Sequence, residues 1–179
     1  MKTKIKVLRL NKNIELPKVI KKGDWIDLRL SNNVSFKAPY AKTLHKRKGE
    51  DAVNRTREII FDTKLLNLGI AIEMEKGYEA HVTPRSSLFK NYGLVLLNSI
   101  GIIDNSYKGN NDEWKANVLG LKSVNIPEGE RLFQFRISLS QKATIWQKIK
   151  WLFSNGIEIN EVQSLDNNNR GGIGSTGTK

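Results

Sequence analysis

The fold is best indicated by residues 84–109, which read PRSSLFKNYGLVLLNSIGIIDNSYKG. Two apolar runs lie within this stretch, at 93–97 and at 100–103, and each is followed by polar residues. A short apolar run that ends in Asp-Asn-Ser is typical of a strand that enters a turn. We therefore expect Asp104 to lie at the mouth of a sheet rather than inside it.

The same stretch contains groups that suit phosphate chemistry. Arg85, Ser86 and Ser87 supply a guanidinium and two hydroxyls on a predicted loop, which is a suitable arrangement for binding phosphate oxygens. Asp104 supplies a carboxylate that can act as a general base. A base beside a phosphate-binding loop is the minimum needed to hydrolyse a phosphoanhydride.

The remainder of the chain consists mostly of short alternating or apolar runs separated by turn residues, which predicts an all-β sandwich or barrel. Three segments differ. Residues 41–58 are polar and aperiodic and predict a mobile loop, whereas 144–156 have helical spacing and predict an added helix. Residues 166–179 lack apolar side chains for a core and predict a flexible arm after a single domain at 1–165.

Composition excludes several classes of protein. The 179 residues fit one domain, and the absence of cysteine excludes disulfides and thiol nucleophiles. Two histidines are too few for a histidine metal site in one chain. No apolar run is long enough for a transmembrane helix, and the N-terminal residues do not resemble a signal peptide, so we expect a cytoplasmic protein with no membrane contact. The net charge of +12 is scattered, which favours anionic ligands over a dedicated nucleic-acid site.

Several motifs together resemble those of the trimeric dUTP pyrophosphatases (dUTPases). PRSSL at 84–88 and the pattern from Asn98 through Asp104 and Tyr107 to Gly109 are similar to the second and third motifs of that family. The segment 129–134, GERLFQ, resembles the fourth motif, and 172–177, GIGSTG, resembles the glycine-rich fifth motif. The first motif is matched more weakly, by Ile-Asp-Leu at 26–28.

The resemblance implies a distorted jelly roll, hydrolysis of dUTP to dUMP and pyrophosphate, and specific roles for residues. Asp104 would activate the attacking water, Tyr107 would lie against the deoxyribose, and Mg²⁺ would neutralise the triphosphate, with Asp27 contacting the ion through water. The remaining implied substrate contacts are Arg85, Ser86, Ser87, Asn98, Gly101, Ile103, Gln134, Arg170, Ile173, Gly174, Ser175 and Thr176.

The resemblance also implies a homotrimer whose active sites lie between subunits, with the arm closing over the triphosphate as a lid. The chain departs from the family in the fifth motif, where Ile173 replaces the usual Phe and the spacing from Arg170 is shortened. The helix predicted at 144–156 is an addition to the family pattern.

Three alternatives remain open on the sequence. A dCTP deaminase-like enzyme is the nearest, although the spacing from Asp104 to Tyr107 favours dUTP hydrolysis. A non-catalytic nucleotide sensor is the second, and the intact Asp104 argues against it. A nucleic-acid-binding module is the third.

Overall fold

Alternating burial defines the strands of this protein, whose computed structural model describes residues 2–21, 23–43 and 57–172. In the first strand, Ile5 and Val7 are buried while Lys4 and Lys6 are exposed, as alternation predicts. The strands are β1 (Thr3–Arg9), β2 (Ile26–Arg29), β3 (Val34–Phe36), β4 (Tyr40–Thr43), β5 (Arg57–Ile60), β6 (Asp62–Asn67), β7 (Ile70–Met74), β8 (Tyr78–Pro84), β9 (Leu94–Leu96), β10 (Gly101–Asp104), β11 (Lys115–Gly120), β12 (Val124–Ile126), β13 (Arg131–Leu139) and β14 (Ile157–Val162). Two helices are described, α1 (Leu88–Tyr92) and α2 (Ile145–Leu152).

The described strands form three larger sheets and two strand pairs. The sheets have the orders β14-β1-β7, β10-β8-β13-β2 and β6-β11-β9, and the pairs are β12-β3 and β4-β5. The pairing of β1 with β14 is parallel, and the other pairings are antiparallel. Because most neighbours are distant in sequence, the strands wind around one another as in a jelly roll, which confirms the predicted fold class.

The core lies between these sheets and is built around large aromatic side chains. Trp114, Phe133 and Phe135 are fully buried, and Trp114 meets Phe135 edge-on with ring centroids 5.2 Å apart. Neither of the described helices is long and apolar enough to cross a membrane.

Helix α1 was not predicted from the sequence, which indicated only a loop at 84–87 before it. Its five residues are too few to show a helical period. The helix ends at Gly93, whose φ of 63° lies in the left-handed region and whose N–H bonds to the carbonyl of Phe89.

Helix α2 confirms the helix predicted at 144–156, with closer limits. Thr144 caps its N-terminus in a capping box with Gln147, since each side chain bonds to the other residue's backbone N–H. The helix ends at Leu152 because Phe153 takes the C-cap position, before the predicted stop at Asn155–Gly156.

The predicted mobile loop at 41–58 is shorter than expected at both ends. Residues 41–43 belong to β4 and residues 57–58 to β5, and these strands pair with each other in antiparallel register, with Tyr40 opposite Ile60. The pairing was not predicted because a two-stranded ribbon buries little surface and therefore does not require an apolar pattern in its sequence. The remainder of the predicted loop, 44–56, lies outside the described residues.

Candidate active site

Asp104 is the last residue of β10, and its carboxylate points into a turn. Oδ1 accepts hydrogen bonds from the backbone N–H of Ser106, at 2.9 Å, and from the Ser106 hydroxyl. Oδ2 accepts from Nη1 of Arg170 at 2.7 Å, and the Asp104 side chain remains half exposed. The expectation of an accessible carboxylate at the mouth of a sheet is confirmed.

The surroundings of Asp104 favour its charged form. Partial burial acts to raise the pKa of this carboxyl, but the two hydrogen bonds from Ser106 and the charge of Arg170 outweigh it, so the pKa lies below its usual value. Asp104 is therefore ionised at neutral pH, as a general base must be.

Arg170 reaches Asp104 because the buried carboxylate of Asp112 binds the backbone of Arg170 and Gly171. Asp112 is 1% exposed, and its oxygens accept from the N–H groups of Arg170, at 2.9 and 3.1 Å, and of Gly171, at 3.2 Å. Asp112 also accepts from the N–H of Gly109 at 2.8 Å. One aspartate thus joins the turn after β10 to the C-terminal segment.

The C-terminal segment crosses directly over this turn. A Cβ atom on Gly109 would lie 2.3 Å from Oδ1 of Asn169 and 2.6 Å from its Cα, so only glycine fits there. Asn169 Oδ1 accepts from the N–H of Asn111 at 2.8 Å, and Leu165 is buried. In the predicted flexible arm, residues 169–171 are therefore bonded to the turn after β10 through Asn111 and Asp112.

Tyr107 lies beside Asp104 with its ring fixed. Its hydroxyl donates to the carbonyl of Glu113 at 2.8 Å, and its half-buried ring packs against the core. Burial, followed by the charges of Asp112 and Glu113, raises the pKa of Tyr107, so the hydroxyl keeps its proton and remains a donor. Asp104, Tyr107, Asp112 and Arg170 are called the aspartate group below.

The residues expected to read a base lie on and before β10. Asn98 is exposed, and its Nδ2 would lie 3.8 Å from a Cβ on Gly101, so its amide faces the start of the strand. Ile103 is half buried and packs on the core. β10 is an edge strand that pairs with β8 on one side, and the edge of a sheet presents backbone N–H and C=O groups for pairing with a ligand.

A second set of residues meets at Asp27, and it contains the predicted Arg85 and Gln134 together with Arg131, which was not predicted as a site residue. Its Oδ1 lies 2.9 Å from Nε of Arg85, and its Oδ2 lies 3.0 Å from Nη1 of Arg131. Gln134 pairs with Asp27 across the two strands and donates from Nε2 to the carbonyl of Pro84 at 3.2 Å. These four residues, Asp27, Arg85, Arg131 and Gln134, are called the arginine group below.

Ser86 and Ser87 adjoin the arginine group at the start of α1. Ser86 is exposed, and Ser87 occupies the N-cap position without a side-chain capping bond. Ser86 and Ser87 thus follow Arg85 directly at the start of α1, whose first residue is Leu88.

The two groups share one face of a sheet but lie far apart in a single chain. Asp104 pairs with Glu79, which pairs with Ser138, whereas Asp27 pairs with Gln134, four residues from Ser138 along β13. Three strand spacings across and four residues along separate the two aspartates by roughly 20 Å. One chain therefore does not bring all the predicted site residues together.

Metal ligands are scarce in the described part of the chain, where no three His, Cys, Asp or Glu side chains form a cluster that could hold an ion. Both oxygens of Asp27 are already in ion pairs with arginines, so a metal-bound water would have to share them. This donor set fits a metal bound mainly by phosphate and water, as Mg²⁺ often is. The predicted contacts at Ile173, Gly174, Ser175 and Thr176 lie outside the described residues.

The sequence reading did not identify Asp112 as part of the site. Asp112 lies in the polar run 110–113, where its carboxylate resembles an ordinary loop residue. The available signal was the glycine at 109, since a glycine that ends a motif often marks a close approach of backbone. The segment that approaches this glycine contains Asn169, which bonds to Asn111 across 58 positions of sequence. No local sequence pattern indicates a contact over such a separation.

The family model described as dUTPase matches residues 52–177. The SPbeta prophage-derived deoxyuridine 5'-triphosphate nucleotidohydrolase YosS of Bacillus subtilis (strain 168) is 38% identical over 184 aligned positions, which cover all of both chains. This chain belongs to the dUTPase family.

Other dUTPases agree with this assignment. The deoxyuridine 5'-triphosphate nucleotidohydrolase of Thermoanaerobacter sp. (strain X514) is 34% identical, and the match covers 89% of this chain and 96% of that relative. The crystal structure of the dUTPase from Streptococcus mutans has a TM-score of 0.56 at 22% identity, covering 75% of this chain and 96% of that one.

A phage dUTPase also has this fold. A mutant dUTPase from phage phi11 of S. aureus, described as coordinating a structural Mg(II) ion, has a TM-score of 0.58 at 16% identity and covers 79% of this chain and 94% of that one. At these identities the structural matches establish the fold, which is that of the dUTPases.

Proposed function

We propose that this protein hydrolyses dUTP to dUMP and pyrophosphate, with Asp104 as the general base. The observation that carries the proposal is the carboxylate of Asp104, which is ionised, half exposed and oriented by Ser106 at the end of an edge strand. Membership of the dUTPase family supports the same reaction.

The reaction requires a water molecule aimed at the α-phosphorus. Asp104 accepts a proton from that water as the oxygen attacks, and pyrophosphate leaves from the opposite side. Arg170 occupies Oδ2 of Asp104, which leaves Oδ1 and its Ser106 hydrogen bonds to orient the carboxylate.

The nucleoside is bound beside Asp104. The Tyr107 ring is fixed by the bond from its hydroxyl to Glu113 and lies against the deoxyribose, which leaves no room for a 2′-hydroxyl. Asn98 and the open backbone edge of β10, from Gly101 to Ile103, hydrogen-bond to the uracil.

The triphosphate oxygens are bound by the donor side chains of the arginine group, Arg85, Arg131 and Gln134, and by the hydroxyls of Ser86 and Ser87. Arg85 and Arg131 are fixed by Asp27, so their positive charge is already in place when the substrate arrives. Mg²⁺, when bound with the substrate, neutralises the charge of the triphosphate and of the leaving pyrophosphate.

The active enzyme is a homotrimer in which each site combines groups from different copies. The separation of roughly 20 Å between Asp27 and Asp104 within one chain supports this, because that distance exceeds the span of one triphosphate. The arginine group of one copy therefore completes the site at the aspartate group of another. Residues 173–176 then close over the triphosphate from the anchored segment before them, where Arg170 can move from Asp104 to a phosphate.

The proposal is tested by incubating the protein with each of the four standard deoxynucleoside triphosphates, dUTP and UTP in the presence of Mg²⁺. Pyrophosphate and nucleoside monophosphate are then measured. We expect dUMP and pyrophosphate from dUTP, and little product from the others. Deamination of dCTP without pyrophosphate release would instead identify a deaminase, and no turnover of any nucleotide would contradict an enzymatic function.

A further inference from the structure

The first residues after β14 are fixed to their own chain. Asn110, in the turn after β10, donates from Nδ2 to the hydroxyl of Ser164 at 3.1 Å, and its Oδ1 accepts from the N–H of Leu165 at 2.8 Å. Leu165 is 3% exposed and packs with Leu8 of β1 and Ala71 of β7. The C-terminal segment, residues 163–172, therefore starts from a buried anchor.

The remainder of the C-terminal segment binds the same turn in chain order. Asn169 Oδ1 accepts from the N–H of Asn111, and the carboxylate of Asp112 accepts from the N–H groups of Arg170 and Gly171. Positions 110, 111 and 112 of the turn thus contact positions 164–165, 169 and 170–171, in that order. The buried anchor lies five positions before Arg170, which is at most about 18 Å along an extended chain, so Arg170 stays near its own turn.

Asp112 needs the C-terminal segment for its hydrogen bonds. Its carboxylate belongs to a residue that is 1% exposed. If the segment left, Asp112 would lose the bonds from Arg170 and Gly171, and the bond from the N–H of Gly109 would remain. A buried charge that loses its partners is strongly unfavourable. The burial of Asp112 therefore favours a segment that stays on its own chain.

These contacts bring Arg170 to Asp104 of the same chain, with Nη1 of the arginine 2.7 Å from Oδ2 of the aspartate. The arginine group of that chain lies with Asp27, roughly 20 Å from Asp104. The base, Tyr107 and Arg170 thus meet within one chain, and the arginine group is the part that another copy has to supply.

We propose that Asp112 is a positioning residue that fixes the C-terminal segment of each chain at the Asp104 of that same chain. The inference rests on the proposed function, in which the arginine group comes from another copy. Each active site is then built from two chains. One chain supplies Asp104, Tyr107 and Arg170, and the second chain supplies the arginine group.

The first test combines pairs of defective chains in one assembly. Two variants with different N-terminal tags are co-expressed, and assemblies that carry both tags are isolated and assayed at low dUTP concentration. The test pair joins Asp104→Asn with a chain that lacks residues 170–179. The matched control pair joins Asp104→Asn with Arg85→Ala.

The two pairs should give different results. In the control pair, one site of an assembly of three chains has an intact aspartate group from one chain and an intact arginine group from another, so activity should recover to about a third of the wild type. The test pair should stay as inactive as its parents, because no single chain has both the Asp104 carboxylate and Arg170.

The second test does not depend on activity. Because the chain has no cysteine, Asn111→Cys combined with Asn169→Cys introduces two exposed thiols, which a short bis-maleimide can link. Intact-mass spectrometry should find the linker within single chains. An equal mixture of the two single-cysteine variants, co-expressed as the control, should give no two-chain product.

The role of Asp112 is tested in the double-cysteine chain. Adding Asp112→Asn should slow linking within the chain by about threefold to tenfold, because the segment loses bonds that position it. Adding Asp166→Asn, which changes an exposed aspartate of the segment, should leave the rate unchanged. Equal rates in the two variants would remove Asp112 from this role.

Recovery of activity in the test pair, or a two-chain product from the single-cysteine mixture, would overturn the inference, because either result means that the segment serves another copy. If the control pair does not recover, the shared site of the proposed function fails, and the linking experiment alone decides where the segment lies. If the wild type does not hydrolyse dUTP, the proposed reaction fails, and linking again decides the inference.

Discussion

The arginine group and the aspartate group are held in place by different means. Asp27, Arg131 and Gln134 lie on the adjacent strands β2 and β13, and Arg85 directly follows β8 in the same sheet. Asp104 also lies at the end of a strand in that sheet, but its partner Arg170 arrives from the C-terminal segment. The first group depends on the sheet alone, whereas the second depends on two segments that meet through Asp112.

This difference predicts how substitutions in each group should affect the protein. The arginine group is organised as soon as the central sheet forms, so changes there should alter substrate binding without altering the remainder of the chain. The aspartate group is organised by hydrogen bonds between loops, which are easier to open than a packed sheet. Changes at Asp112 or Arg170 should therefore loosen the site while the fold remains.

The largest effect is expected from removing the base of the aspartate group. Asp104→Asn keeps the size of the side chain but cannot accept the proton, so kcat for dUTP should fall by about 10²–10⁴-fold. Affinity for a non-hydrolysable dUTP analogue, measured by titration calorimetry, should change little. Asp24→Asn, which alters an exposed aspartate, serves as the control. Near-normal turnover of Asp104→Asn would remove this residue from the mechanism.

The next largest effect is expected in the arginine group. Arg85→Lys keeps the charge but loses the planar fork that contacts Asp27, so KM for dUTP should rise by roughly tenfold to a hundredfold, with a smaller change in kcat. Steady-state kinetics measure both constants. Arg136→Lys, on the same face of the sheet, should behave as the wild type. A fall in kcat alone would mean that Arg85 acts on the transition state rather than in substrate binding.

A smaller effect is expected from a change at Asp112, which should alter amide hydrogen exchange in the aspartate group and leave the arginine group unchanged. Asp112→Asn replaces one acceptor oxygen with an amide donor, which removes bonds to Arg170 or Gly109 and should lower the free energy of unfolding by about 1–3 kcal/mol. Amide hydrogen exchange at Arg170 and Gly171 should accelerate, while exchange within β13 stays slow. The exposed Asp166→Asn is the matched control. Unchanged exchange at Arg170 would mean that the C-terminal segment is held by other contacts.

The smallest effect is a change in pH dependence. Partial burial raises the pKa of Asp104, while Ser106 and Arg170 lower it, and the net result is a pKa below the usual value. Arg170→Gln removes one of the lowering contributions, so Asp104 becomes protonated at a higher pH. The acidic limb of the kcat/KM profile should therefore move to higher pH. A limb that stays in place would show that Arg170 does not influence the base in the working enzyme.

Much of the fold was predictable because it depends on local patterns. Alternation located most strands, and the apolar run that ends at Asp104 correctly indicated a side chain at the mouth of a sheet. α2 was visible from its helical spacing. α1 was missed because five residues do not establish a period, and the pairing of β4 with β5 was missed because polar residues, Lys42, Thr43, Arg57 and Glu58, form one end of it.

The sequence predicted the site residues that belong to recognisable motifs, but it did not predict the contacts between them. Arg85 and Asp104 are recognisable from motifs, yet nothing local indicates that Asp27 bridges Arg85 and Arg131. The role of Asp112 is recognisable only from the fold, because Arg170 and Gly171, which donate to it, are 58 and 59 residues away. Long-range hydrogen bonds between loops have no sequence period, so they escape any reading of the sequence alone.

The parallel pairing of β1 with β14 has a consequence for the order in which the protein folds. Arg9 of β1 and Glu161 of β14 form a hydrogen bond across 152 positions of sequence, so β1 leaves the ribosome long before its parallel partner strand is made. β1 can pair with β7 as soon as residues 70–74 are made, but its other edge stays unpaired until residues 157–162 of β14 are made. The C-terminal segment follows β14 directly. The contact between Arg170 and Asp104 therefore forms after β14 is made, so the strands of the core can pair before Asp104 gains its Arg170 partner.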